Sequence, residues 1–132
     1  MKTKVIFRSS KFPPYDGELK QPMGAEYWGK RLAEHIVPRL NERGFQTMTL
    51  VPEDWGWYIP IENSRFPLRI CCGHETGDQF MCYIDPSTPT VQIKSRKIDT
   101  TQEIGQVINA LDDILKSDPD IRDPKWVTGE GD

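Results

Sequence analysis

No apolar run in this sequence approaches the ~20 residues needed to span a bilayer. The first residues, MKTKVIFRSSKF, are basic but have neither a long apolar core nor a small-residue cleavage site, so they do not read as a signal peptide. Cysteine is sparse: Cys71, Cys72 and Cys82, an odd number with no CxxC pair. Without an export signal, that usage points to reduced thiols in the cytoplasm. Histidine is scarcer still, with only His35 and His74, which leaves too few ligands for an ordinary zinc site. A basic excess is also missing. The net charge of -3 argues against a general nucleic-acid binder, because phosphate neutralisation needs cations. There is no internal repeat or low-complexity tract, and no cofactor, membrane or nucleic acid is implied.

What remains is an ordinary globular balance of 36% hydrophobic and 28% charged residues over 132 positions, which suits one domain spanning 1–132. Residues 3–9 read as a first strand. Residues 12–23 are proline-rich and read as loop, since proline fixes φ and removes a donor. Residues 25–43 read as a helix: Trp28, Leu32, Ile36 and Leu40 recur every four residues, with Ala33 and Val37 beside them. Pro38 should kink or split it near Glu34 and His35, and Gly44 is placed to cap it in the left-handed region.

Four or five strands follow. Residues 45–51 are the second strand, with a tight corner at 52–54. Residues 55–62 alternate, sending Trp55, Trp57, Ile59 and Ile61 one way and Gly56, Tyr58, Pro60 and Glu62 the other. A two-residue turn at Asn63-Ser64 pairs Ile61 with Phe66, Ile59 with Leu68, Trp57 with Ile70 and Trp55 with Cys72, so both apolar stripes share a side. That register sets Cys71 opposite Gly56. A three-residue loop, Glu75-Thr76-Gly77, then pairs Cys72 with Phe80, Ile70 with Cys82 and Leu68 with Ile84, and it needs Gly77 in the left-handed region. Residues 90–96 read as one edge strand protected by Lys94, Arg96 and Lys97.

The second helix begins around Asp99-Thr100-Thr101, with Thr100 and Glu103 spaced as a capping box, and carries the stripe Ile104, Val107, Ile108, Leu111, Ile114 and Leu115. Residues 118–132 read as an irregular tail packed back through Trp126. The expected fold is therefore α+β: an antiparallel sheet of five or six strands with two helices on one face, in the order β-α-β-β-β-β-α. The first helix is long enough to cross over and leave strands one and two parallel.

Chemistry-bearing residues are few. Cys71 with His74, and Asp54 beside Trp55, are the candidates for a thiol or acid site, but Cys71 and His74 have opposite strand parity. Cys72 and Cys82 fall in the apolar stripe, where cysteine acts as a small hydrophobe. The reverse of the sheet collects Tyr58, Arg69, Cys71, Met81 and Tyr83. Tyrosine, methionine and arginine are enriched at protein interfaces, so Tyr58, Arg69, Met81 and Tyr83 are the expected partner-binding set unless loop 12–23, through Phe12 and Tyr15, folds over them.

The block Pro52-Glu53-Asp54-Trp55-Gly56-Trp57, with Cys72-Gly73-His74 downstream, resembles small uncharacterised bacterial single-domain proteins. The resemblance carries no assigned activity. In size and architecture the chain is also similar to bacterial immunity proteins, which bind and neutralise a toxin. With no catalytic constellation in the sequence and the Tyr58, Arg69, Met81 and Tyr83 face available, the expected function is a non-enzymatic protein-binding domain of inhibitor or immunity type, with a small enzyme or ligand-binding domain near Asp54, Trp55, Cys71 and His74 as the alternative.

Overall fold

Alternating apolar residues in the strands and four-residue spacing in the helices converge on one core. A computed structural model of the chain describes residues 1–19 and 28–129. Residues 20–23 of the expected loop, 25–27 of the expected helix and 130–132 of the tail lie outside them. The elements are β1 (Lys4–Arg8), a single turn α1 (Asp16–Leu19), α2 (Lys30–Glu42), β2 (Val51–Glu53), β3 (Gly56–Ile61), β4 (Leu68–Thr76), β5 (Gln79–Asp85), β6 (Thr90–Ile93), β7 (Arg96–Asp99), α3 (Thr101–Lys116) and β8 (Arg122–Val127).

Six strands form one sheet in the order β2-β3-β4-β5-β1-β8, with every neighbour antiparallel. The expected α+β fold is present. The first two strands are not parallel neighbours: β3, β4 and β5 lie between them. One sheet face carries Val5, Phe7, Ile59, Ile61, Leu68, Ile70, Cys72, Phe80, Cys82 and Ile84. They are buried against Leu32, Ala33, Ile36 and Leu40 of α2 and Ile104, Val107, Leu111, Ile114 and Leu115 of α3. At ~25 cal/mol per Å² of apolar area, each fully buried Leu or Ile contributes roughly 1.5–3 kcal/mol. No helix of the described residues is long and apolar enough to cross a membrane.

Both hairpin registers differ from expectation by two residues. Ile61 pairs with Leu68, Ile59 with Ile70 and Trp57 with Cys72. The connection is a longer loop, in which the Asn63 amide donates to the Phe66 carbonyl at 3.0 Å and Phe66 is buried. Across β4 and β5, Cys72 faces Cys82 and Ile70 faces Ile84, with a bulge between His74 and Thr76. Gly77 does adopt the left-handed conformation, at φ 56°. A slip of two keeps every side chain on its face, so the apolar stripe survives.

Other differences have local causes. α2 runs through Pro38, its turns held on both sides by Leu32, Ile36 and Leu40. Gly44, at φ 88°, ends it: Phe45 N–H reaches Leu40 O and Gly44 N–H reaches Asn41 O, both at 3.1 Å. The expected strand 45–51 is reduced to a bridge between Thr47 and Ile61, then resumes as β2 at Val51–Glu53. Pro60 is tolerated in β3 because its polar edge faces this broken outer strand, where its carbonyl accepts Met48 N–H at 2.9 Å.

Residues 90–99 form a separate hairpin, β6-β7, turning at Lys94 (φ 47°) and Ser95 (φ 69°) rather than one edge strand. The capping box does not form. The Thr100 hydroxyl donates to Thr88 O, and Glu103 accepts Arg65 through both oxygens. Asp99 caps α3 instead, accepting Thr101 N–H at 2.8 Å. The tail supplies β8, which pairs with β1 and sets Trp126 opposite Val5.

Candidate functional site

Three rows of side chains cross the sheet face that α2 and α3 leave free. The middle row runs Tyr58, Cys71, Tyr83 and Lys4. Beside it on one flank are Pro60, Arg69 and Asp85, and on the other Gly73, Met81 and Ile6. The four expected partner-binding residues Tyr58, Arg69, Met81 and Tyr83 therefore share one face, and all are half-buried. The described part of loop 12–23 goes to the opposite side. Phe12 packs on His35 and Phe80, and Tyr15 lies under Arg31 and bonds Glu34.

Trp55 departs from the expected placement. It is not in the core stripe: Asp54 and Trp55 form the turn between β2 and β3, and the indole lies 5.7 Å from the Tyr83 ring on the helix-free face. Gly56 makes this possible. It sits at φ 148°, and a Cβ there would stand 2.3 Å from Cys72 O, so the turn folds down to a distance that only glycine permits. Trp57 faces the helix side, where its indole N–H donates to Glu18.

Arg69 is held from two directions. Its Nε donates to Asp85 at 2.7 Å, and its guanidinium carbon stands 4.4 Å from the centre of the Tyr58 ring. This pair borders an open cleft of about 500 Å³ whose walls include Met48, Pro60, Glu62, Pro67 and Leu68. Met48 is 51% exposed, an unusual state for a large apolar side chain.

Cys71 lies in the middle row but is fully buried, outside the core cluster. Burial pushes its thiol up to about 12, and the Tyr83 hydroxyl and Arg69 guanidinium only partly oppose this. The Tyr83 hydroxyl is raised in turn by burial and by Cys71. His74 is on the other face, stacked 3.6 Å from Trp28, its Nε2–H donating to Gly77 O at 2.8 Å. Asp54 is exposed in its turn. The fold therefore does not bring Cys71, His74 and Asp54 together. Cys72 and Cys82 sit in the core with sulfurs 3.8 Å apart. Among the described residues, no group of three or more His, Cys, Asp or Glu side chains is arranged to hold a metal ion.

Sequence reasoning missed Glu18, a buried carboxylate that accepts four donors: Tyr15 N–H, Gly29 N–H, Lys30 N–H and the Trp57 indole. It also missed the wall formed by Met48 and Pro67. No sequence signal marks that wall, because Met48 and Pro67 come together only in the folded chain. No family model, curated protein or solved structure matches this chain.

Proposed function

We propose that this chain is a non-enzymatic protein-binding domain that holds another protein on the helix-free face of its sheet, in the manner of an inhibitor or immunity factor. The observation that carries this reading is the clustering of Tyr58, Arg69, Met81, Tyr83 and Trp55 on that face, beside an open cleft. Binding energy at interfaces concentrates in Trp, Tyr and Arg anchors. Arg69 is already fixed by Asp85 and Tyr58, so less side-chain entropy is lost when it meets a partner. The sheet edges are poorer docking sites. β2 has three residues and contains Pro52, and β8 contains Pro124, both features that discourage strand addition.

The same reading covers setting. Three unbridged cysteines fit a reducing cytoplasm. A thiol enzyme near Trp55 and Cys71 is disfavoured by the burial of Cys71 and its raised pKa. The test is an affinity pull-down with the wild-type chain and a Tyr58→Ala/Tyr83→Ala double variant of verified fold. The double variant should lose a partner that the wild type retains; an identical partner list for both would end the proposal.

A further inference from the structure

Three charged side chains line the cleft: Glu62, Arg69 and Asp85. Arg69 and Asp85 largely neutralise each other through their 2.7 Å contact, and that contact uses only one Asp85 oxygen. Glu62 is exposed, and among the described residues no side chain pairs with its carboxylate. The cleft thus carries a net negative charge with two carboxylates able to accept. The rest of its lining combines the apolar side chains of Met48, Pro60, Ile61, Pro67 and Leu68 with Asn63 and Tyr58. A volume of about 500 Å³ falls within the range of built ligand pockets and suits one or two side chains rather than a whole domain.

We infer that the cleft receives a basic, partly apolar segment of the protein partner, a lysine or arginine whose stem lies along Met48 and Pro60 and whose cation ends between Glu62 and Asp85. Long cationic side chains bury their methylenes on apolar surface while their heads remain hydrated or paired. Arg69 does not repel this visitor strongly, because its charge is already countered by Asp85 and its face is covered by Tyr58. The inference rests on the proposed binding role of this face and adds the chemistry of what enters it.

The test uses the full chain, isotope-labelled for NMR. It is titrated with a blocked pentapeptide carrying lysine between two leucines, and with its norleucine and glutamate counterparts. The lysine peptide should saturably shift the resonances of Met48, Tyr58 and Glu62. The other two peptides, and the lysine peptide on Glu62→Gln, should bind roughly threefold to fivefold more weakly, as expected for the loss of one half-exposed ion pair. Equal binding of all three peptides, preference for glutamate, or no shift at these residues overturns the inference. A pull-down separates this failure from that of the wider reading. A partner lost by Tyr58→Ala/Tyr83→Ala but kept by Glu62→Lys means that the face binds and the cleft chemistry is wrong.

Discussion

The carboxylate of Glu18 accepts the indole N–H of Trp57 at 3.2 Å, tying a one-turn helix in a proline-rich loop to the central hairpin of the sheet. The same oxygen accepts Gly29 and Lys30 N–H at 3.0 and 3.2 Å, which places a carboxylate at the N-terminus of α2, where the helix dipole favours negative charge. Glu18→Gln keeps the size but turns an amide N–H₂ toward these donors. It should cost about 1–3 kcal/mol, the usual penalty for leaving buried donors unsatisfied. Urea denaturation checks this: the midpoint should fall with the slope unchanged. An unaltered midpoint would mean that the four contacts carry no net stability.

Gly56 and Gly44 make a matched pair because both have positive φ but different surroundings. A Cβ at Gly56 would meet Cys72 O at 2.3 Å, whereas one at Gly44 meets nothing within 4 Å. Gly44→Ala should therefore cost about 1 kcal/mol, the conformational penalty alone. Gly56→Ala adds a backbone clash and should cost about 2–4 kcal/mol. Thermal melts of the two variants check the ordering. Equal costs would show that the close approach at Cys72 is not rigid.

His35 supplies a pH dependence. Burial lowers its pKa, and the Arg39 and Lys11 charges add to this, while Asp118, 3.0 Å from Nε2, pulls the other way. A histidine with a lowered folded pKa favours folding most when both states are neutral. Its contribution is thus complete above about pH 6.5, the unfolded value, and is lost as pH falls toward the lowered folded value. Asp118 acts lower on the scale. Burial opposes its ionisation, but hydrogen bonds from Lys11 and the Asp120 N–H outweigh this and hold its carboxyl below the usual range. Its contribution is lost only as pH falls below about 4. Unfolding free energy measured from pH 7 to 5 should decline in the wild type and flatten in His35→Gln. A parallel slope in both would remove His35 as the cause.

How much of this fold could be read from sequence depended on periodicity. Ile59, Ile61, Leu68 and Ile70 were legible because strict alternation marks a face, and the helix stripes were legible because four-residue spacing marks another. Register was not: Ile59 opposite Leu68 and Ile59 opposite Ile70 satisfy the same alternation, and the loop around Asn63 and Phe66 decides between them. The Lys94–Ser95 turn was hidden because neither residue advertises a left-handed conformation. Trp55 was misplaced for a related reason. The alternation of 55–62 continues one residue past the strand, into a turn that Gly56 bends onto the other face. Of the candidate site, Tyr58, Arg69, Met81 and Tyr83 followed from parity. Asp85 shares their parity, two residues beyond Tyr83 on β5, whereas Met48 joins them only through three-dimensional proximity.

The cysteines give the sharpest discrimination between a binding domain and a thiol enzyme. All three are free and buried, and Cys71, the only one on the helix-free face, has its thiol pushed up to about 12 by burial. The thiolate is the reactive species, so iodoacetamide at neutral pH should label the folded chain only as fast as it opens, and label three thiols at once in denaturant. Mass spectrometry of a timed series measures both. Rapid, selective labelling of Cys71 in the wild type would instead revive nucleophilic chemistry beside Trp55. Tyr83→Ala sharpens the reading, because Tyr83 faces Cys71 across the strand pair. Removing it should expose Cys71 alone and raise its labelling rate, while Cys72 and Cys82 remain protected in the core. If all three thiols accelerate together, the variant has loosened the whole fold, and Tyr83 is holding the sheet rather than covering one residue of its outer face.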